Sequence, residues 1–472
     1  VIDIPSPAVA FVGRHNSGKT TLIEKVIAGL VARGYDVGSI KHHSHRGFDI
    51  DYPGKDSYRH RAAGASETVI AAPGMVARMT DVEGEVECST LVKSMPNHDI
   101  VVVEGYRKSG LPTIEIMRSG NPADSRVAAL FAHAAQEGLP LSTDFTQLSR
   151  VMQQQGEGEG GAGAGAEVST GAGAGAEVST GAGAGAEVST GAGNVTLRDV
   201  SQNAPEESLF SAHADAASKM PSDQTVAVVS DIPEALEAAR TYGIAALPLN
   251  DTEAVVDFVA ATYVRPRITV VIQAGGESKR MGQSKATVPF SGRPLICRMV
   301  ERLAPAADEL IITTNEADRL AFLKDEFPSL SIRLIPDEYN ERGALPGLYT
   351  ALKAATNSYV AVVACDMVFA SPRLVVAEAI ALHKHAADIV VPYNKHGYEP
   401  LHAVYRKETC IGPVKQRVDE GNKRVQSFFE DESLELFRFT HEMVAEVEPR
   451  GGCFVNVNTP DELNHILRSF GD

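Results

Sequence analysis

The stretch GRHNSGKT (13–20) constrains this chain more than any other. It follows AVAFVG (8–13), an apolar run of strand length. It precedes KTTLIEKVIAGLVARG (19–34), where Leu22, Val26 and Leu30 recur at helical spacing and Gly34 closes the run. The pattern G-x-x-x-x-G-K-[ST] between a strand and a helix is a phosphate-binding loop. Gly13 and Gly18 let the backbone, with Asn16 and Ser17 between them, wrap a phosphate with its N–H groups. Lys19 reaches the β- and γ-phosphates, Thr20 offers a hydroxyl to Mg2+, and the helix N-terminus favours the anion.

Such a loop calls for a carboxylate at the end of a neighbouring strand. Glu104, closing the apolar run in HDIVVVEGY (98–106), fills that place and acts on Mg2+ through a water. PTIEIMR (112–118) alternates like a strand with one wetter face. Strands alternating with helices predict a mostly parallel sheet covered on both faces. The segment 41–65 is rich in His, Arg and acids. His42, His43 and His45 lack matched zinc ligands of obvious geometry, so a polar switch-like loop beside the phosphates is the preferred reading over a zinc site.

Residues 161–190 are GAGAGAEVST written three times, inside a polar stretch. Gly and Ala with a single Glu per unit cannot bury enough apolar surface to offset the entropy of ordering. After it come two strand candidates, QTVAVVSD (224–231) and IAALPLN (244–250), and a helix candidate, DTEAVVDFVAATY (251–263). These about forty residues are too few to fold alone, so they return to the first sheet. The expected organisation is a P-loop domain of 1–133 plus 223–263, a low-complexity disordered insertion at 134–222, and a second domain at 266–472. The junction falls near Pro266, whose ring stiffens it.

The second domain alternates again: ITVVIQA, ELIITTN, IRLIPD, YVAVVACD and ADIVVPY read as strands, with helices between them. QAGGESKRMGQSK (273–285) follows its first strand. Gln273, Ala274, Gly275 and Gly276 permit close backbone approach to a nucleotide, and Gly282 completes the loop. Arg280 and Lys285 offer cations to a triphosphate. Asn315 and Asp337 end two further strands, and Asp366 ends the buried one, where a carboxylate can hold Mg2+. Each acid alone reads equally well as a helix N-cap. Together at the carboxyl ends of one sheet they form a ligand site, and the loop points to nucleotidyl transfer. The fold class is therefore α/β, with two doubly wound, mostly parallel sheets: a P-loop NTPase fold, then a Rossmann-like nucleotidyltransferase fold.

Composition narrows the partners. A formal charge of −17 without a Lys/Arg block excludes nucleic acid as a bulk partner. Five widely spaced cysteines exclude a disulfide scaffold and a Cys-rich zinc site. No apolar run reaches membrane-spanning length, and no charged-then-apolar signal pattern opens the sequence. The reading is a soluble, cytoplasmic protein with no membrane partner.

The first section resembles the MobB family, GTP-binding partner proteins of molybdenum cofactor guanylation. FVGRHNSGKTTL, IKHHSHRGFDIDYPGKDSYRHRAAGA, DIVVVEGY and PTIEIMR carry the resemblance, with AVVSDIP and LPLNDTEAVVDFV for the closing elements. It implies GTP, Mg2+, weak hydrolysis and a homodimer through this domain, and it places Asp51, Lys55 and Asp56 near the nucleotide. No NKxD guanine signature is present, and Ser230 and Asp231 stand at a strand end where a base can be read.

The second section resembles the MobA family of molybdenum cofactor guanylyltransferases, through its glycine loop and EPLHAVYRK, GNKRVQSFF and FVNVNTPDEL. The resemblance implies that Gln273, Ala274 and Gly275 line GTP with Lys285, Asn315 and Asp337, that Asp366 holds the metal, and that Asn456 or Asn458 assists. Gln273 replaces the usual leucine, while Gly275-Gly276 resembles guanylyl rather than cytidylyl transferases. The implied partners are GTP, molybdenum-loaded molybdopterin, a molybdenum insertion protein and acceptor molybdoenzymes. The expectation is a bifunctional protein with Arg280, Lys285 and Asp366 in catalysis. Its alternatives are a sugar-1-phosphate or cytidylyl transferase fused to a GTPase switch, and a non-catalytic scaffold.

Overall fold

The computed structural model describes residues 2–43, 51–142, 215–275, 285–290, 292–341 and 343–457. The repeat, Gly276, Arg280, Gly282, His45 and Asn458 lie outside the described residues. The chain divides into two compact units. One comprises Val1–Val12, Lys19–Thr113 and Asp251–Asp472; the other comprises Gly13–Gly18 and Ile114–Asn250.

The N-terminal part of the first unit holds β1 (Ala8–Gly13), β2 (Val37–Lys41), a hairpin of β3 (Glu67–Ala72) and β4 (Met75–Thr80), and β5 (Ile100–Glu104). The order is β2-β5-β1, and both pairings are parallel. Register sets Lys41 and Phe11 on either side of Glu104. β5 is buried along IVVV because both of its faces are covered, which is why it reads as a continuous apolar run. The helix Lys19–Ala32 buries Leu22, Ile23, Val26 and Leu30, the predicted stripe with one addition.

Helix Thr252–Thr262 packs on that first helix and buries Val255, Val256 and Val259. Contact is closest at Gly29, where an added Cβ would stand 2.7 Å from Val256 Cγ2. Asp251 starts the later helix, its carboxylate accepting from the Ala254 N–H at 3.0 Å. Residues from both sides of the repeat therefore share one packed interface.

The second sheet of this unit contains β9 (Ile268–Gln273), β10 (Pro289–Phe290), β11 (Arg293–Pro294), β12 (Glu309–Thr313), β13 (Ile332–Ile335), β14 (Tyr359–Ala364), β15 (Ile389–Asn394), β16 (Gly397–Tyr398), β17 (His402–Arg406) and β18 (Leu436–Phe439), with β10 and β11 paired apart as a small hairpin. The strand order is β13-β12-β9-β14-β17-β15-β16, with β18 on β15. β13, β12, β9 and β14 run parallel, whereas β17 pairs antiparallel with both β14 and β15. Antiparallel β17 departs from simple alternation, since HAVYR follows β15 and β16 through a short turn with no crossover helix. Helices Leu295–Leu303 and Pro372–Lys384 bury one face; helices Ala344–Ala354 and Lys407–Asp419 bury the other.

The second unit is built on β6 (Thr113–Met117, all but its first residue), β7 (Thr225–Ser230) and β8 (Ala245–Pro248), in the order β6-β7-β8. Helices Pro122–Gln136 and Pro233–Thr241 pack together over Phe131, Val228 and Ala235. The first of these is started by Asn121, whose side chain accepts from the Ala123 N–H at 3.1 Å, with Pro122 in the first turn.

Candidate functional site

A cavity of about 500 Å3 opens at the carboxyl ends of β9, β12 and β14. Gln273, Ala274, Gly275, Lys285, Thr313, Asp337, Gly343, Gly347, Cys365 and Asp366 line it. Its charged pair is Lys285 and Asp366, Nζ to Oδ2 at 2.8 Å, each about a fifth exposed (21% and 22%). Asp366 follows β14 by two residues, and the Val457 N–H, one residue after Asn456, donates to the Asp366 carbonyl at 3.0 Å. Asn315 and Asp337 lock each other: Nδ2 donates to Oδ2 at 2.8 Å, and the Asp337 N–H donates to Asn315 Oδ1 at 3.0 Å. Gly275 lies against this pair, with 3.1 Å between an added Cβ and Asp337 Oδ2, so a side chain would push into the carboxylate.

Gln273 presses its carboxamide on Gly347, and its buried Nε2 has no hydrogen-bond partner among the described residues. Cys365 is fully buried, and burial, then the Asp366 charge, pushes its thiol up to about 12. It stays protonated and is no nucleophile.

In the phosphate-loop stretch, Gly13 and Gly18 are each demanded by the backbone. A Cβ on Gly13 would stand 2.7 Å from the Ile116 carbonyl oxygen, and Gly18 has φ +84°. Asn16 takes φ 64°, a left-handed conformation that Asn tolerates. Ser17 is buried and donates its hydroxyl to the Arg14 carbonyl at 2.8 Å. Arg14 in turn pairs with Asp215 at 2.7 Å. Lys19 and Thr20 begin the following helix. Thr20 Oγ1 donates to Glu104 Oε1 at 2.8 Å, and Lys41 Nζ lies 3.2 Å from Glu104 Oε2.

The hydroxyl and carboxylate singled out from the sequence are thus brought together, with Lys41 as a third member. Nothing in the sequence marked Lys41; its place follows from the β2/β5 register. Thr313 was also missed, because strand order puts it on the cavity wall, whereas Gly343 and Gly347 belong to GALPGLYTAL (343–352), which the sequence reads as a turn leading into a helix beside the site. His42 stacks on Tyr106 with centroids 4.3 Å apart and pairs with Glu85 at 2.8 Å. Among the described residues no three His, Cys, Asp or Glu side chains are grouped to hold a metal. Asp51 folds back on its own loop, accepting from Ser57 Oγ at 3.0 Å and the Tyr52 N–H at 3.1 Å, while Lys55 lies over the Tyr52 ring and Asp56 pairs with Arg59. All five cysteines are free and buried, and no described helix is long and apolar enough to cross a membrane.

Fold and sites together define a chain that joins a P-loop domain to a Rossmann-like nucleotidyltransferase domain. Family models agree: Molybdopterin guanine dinucleotide synthesis protein B matches residues 8–134, and the MobA-like NTP transferase domain matches residues 270–436. A probable molybdenum cofactor guanylyltransferase of Natranaerobius thermophilus is 32% identical over 204 residues, 43% of this chain and 97% of that protein. A counterpart in Carboxydothermus hydrogenoformans is 31% identical over 43% of this chain and 96% of its own. The molybdopterin-guanine dinucleotide biosynthesis adapter protein of Escherichia coli is 36% identical over 148 residues, 30% of this chain and 84% of that protein. The chain belongs to both families, to the adapter (MobB) family through its N-terminal part and to the MobA-like guanylyltransferases through its C-terminal part.

Proposed function

We propose that this is a bifunctional molybdenum cofactor biosynthesis protein. The C-terminal domain transfers GMP from GTP to molybdenum-loaded molybdopterin. An oxygen of the pterin's terminal phosphate attacks the α-phosphorus, the bond from that phosphorus to the bridging oxygen breaks, and pyrophosphate leaves with the electron pair. The acceptor is already ionised, so no general base is needed; catalysis is positioning and charge neutralisation. Gln273, Ala274 and Gly275 offer backbone to the nucleotide, Asn315 and Asp337 form its rigid flank, and Lys285 offsets phosphate charge. Arg280, Gly276 and Gly282 stand in the same stretch of sequence, QAGGESKRMGQSK, and complete the proposed nucleotide-binding set. Asp366 in this site, and Thr20 with Glu104 in the other, are the hard oxygen donors that suit Mg2+ alongside phosphates, and the ion when bound would neutralise phosphate charge.

The observation that carries this reading is the convergence of Lys285, Asp366, Asp337 and the Gln273, Ala274 and Gly275 run on one cavity at the strand ends. Incubating the protein with molybdenum-loaded pterin and GTP, CTP or ATP, and measuring pyrophosphate, tests it. Release with GTP alone is the expected result, and release with CTP or with a sugar phosphate as acceptor would replace it.

The N-terminal domain binds GTP at Gly13–Thr20 and serves as an adaptor with weak hydrolysis. A homodimer through this domain is supported by the β3–β4 hairpin, which exposes Val69, Ile70, Met75 and Val76 at 48%, 43%, 68% and 69%. A two-stranded hairpin alone is marginal in water, and a second copy would cover these side chains. Sedimentation of Val76→Lys should then show a monomer where the unaltered chain shows a dimer. Single-turnover hydrolysis of GTP separates the adaptor from a switch, since fast turnover would remove the adaptor reading.

A further inference from the structure

A second cavity, about 780 Å3, lies within the smaller unit at the carboxyl ends of β7 and β8. Ser230, Asp231, Pro233, Glu234, Leu236, Glu237, Arg240, Pro248 and Asn250 line it. Its volume is that of a small-molecule site, and strand carboxyl ends are where open α/β sheets bind ligands. We infer that this cavity receives the base of the nucleotide held by the phosphate loop, with Asp231 reading a purine that presents two adjacent N–H donors, as guanine does. The inference rests on the reading of Gly13–Thr20 as a nucleotide site.

The carboxylate of Asp231 is held rigidly. Ser119 donates to it twice, backbone N–H to Oδ1 at 2.6 Å and hydroxyl to Oδ2 at 2.8 Å. Each carboxylate oxygen has two acceptor positions, so with one Ser119 donor on each, a second position on each oxygen is left for a ligand among the described residues. A fixed carboxylate with two open acceptors matches the N1–H and 2-amino group of guanine and meets an acceptor, N1, on adenine. The loop that fixes it also touches the phosphate loop: Asn121 Nδ2 donates to the His15 carbonyl at 3.0 Å. Ser119 and Asn121 thus connect the two places, two residues apart on one turn.

The rest of the lining suits a base and not a phosphate. Pro233, Leu236 and Pro248 supply apolar surface for a flat ring. Glu234 and Glu237 repel anions, and the Arg240 guanidinium is already engaged by Glu237 at 2.9 Å. A neutral ring is admitted while the triphosphate is left to the glycine-rich loop.

The test is calorimetric titration of the full chain with GTP, ATP and XTP, using Lys19→Ala to identify the binding component that belongs to the phosphate loop. That component should favour GTP over ATP by at least about tenfold, the usual worth of a satisfied polar readout. Asp231→Asn should weaken its GTP binding about 10–100-fold and strengthen its XTP binding, because an amide complements the N1–H and the 2-oxo group of xanthine. Misfolding cannot produce a gain for XTP. If Lys19→Ala removes a component and Asp231→Asn leaves its GTP and XTP affinities unchanged, the base site is wrong and the phosphate loop stands. If Lys19→Ala removes no component, the nucleotide reading of the loop falls, and the base site falls with it.

Discussion

Asp366 and Lys285 set the charge balance of the C-terminal cavity as a close ion pair. Asp366 follows two residues after a strand that is buried at every position, so the sheet fixes where it begins, and among the described residues Lys285 pairs with it at 2.8 Å. Asp366→Asn keeps the shape and removes the charge. The expected result is a loss of about 100–1,000-fold in pyrophosphate release, the scale on which a positioned charge stabiliser acts, and a weakened response to Mg2+. An unchanged rate and Mg2+ dependence would remove Asp366 from the site. A different pair lies in the core. Glu378 and His402 are both fully buried, with Oε1 and Nδ1 3.3 Å apart. The Ser371 N–H donates to His402 Nε2 at 3.2 Å, so the ring proton sits on Nδ1, toward the carboxyl group. Burial pushes the Glu378 carboxyl up to about 7 against the pull of His402. A carboxyl raised on folding binds more protons folded than unfolded between its ordinary value and its raised one. Its contribution to stability is therefore full at low pH and is lost as pH rises through about 7. Glu378→Gln should flatten the fall in Tm from pH 5 to 8, measured by thermal melts, and the two profiles should differ most at the alkaline end.

At the scale of elements, the interface between helices Lys19–Ala32 and Thr252–Thr262 carries the most information. Gly29 admits Val256 so closely that Gly29→Ala must displace it, and overpacking of this kind costs about 1–3 kcal/mol. Val256→Ala on top of it should recover part of the loss, since the two sites are in contact and do not add. Denaturant melts of the four chains measure this, and simple additivity would mean that the helices are not packed as described. These elements were legible because their signals are local. The helix stripe Leu22, Val26, Leu30 and the continuous run in β5 each state their own burial. The same holds for Asp366, Asp337 and Asn315, which punctuate strands. Antiparallel β17, the β3–β4 hairpin and the placing of Lys41 beside Glu104 were not legible, because strand partners are chosen by packing between distant segments. The sequence names the residues at the end of a strand but not which strand lies next to it.

For the whole molecule the question is whether the GAGAGAEVST tract separates two proteins or interrupts one. Helix Thr252–Thr262 packs on a helix that precedes the tract by more than a hundred residues of sequence, which supports an interruption. So does the chain beyond it. The Arg265 N–H donates to the Asp99 carbonyl at 2.9 Å, and its guanidinium bridges Asp99 and Asp308 at 3.2 and 3.3 Å with all three side chains mostly buried. Arg267 joins Asp308 at 3.0 Å and donates to the Gly34 carbonyl at 2.8 Å. An excursion costs the fold little, because each doubling of loop length adds only about 0.6 kcal/mol of closure entropy. Deleting residues 156–194 should therefore leave Tm and GTP affinity nearly unchanged. Ending the chain at 223 removes β7, β8 and the helix that covers Gly29, and should unfold what precedes it. The two shortened chains and a fragment 1–150, compared by thermal melts and GTP titration, decide the matter: a fragment 1–150 that melts cooperatively and binds GTP would make the tract a hinge, and the junction would move from Pro266 to the repeat.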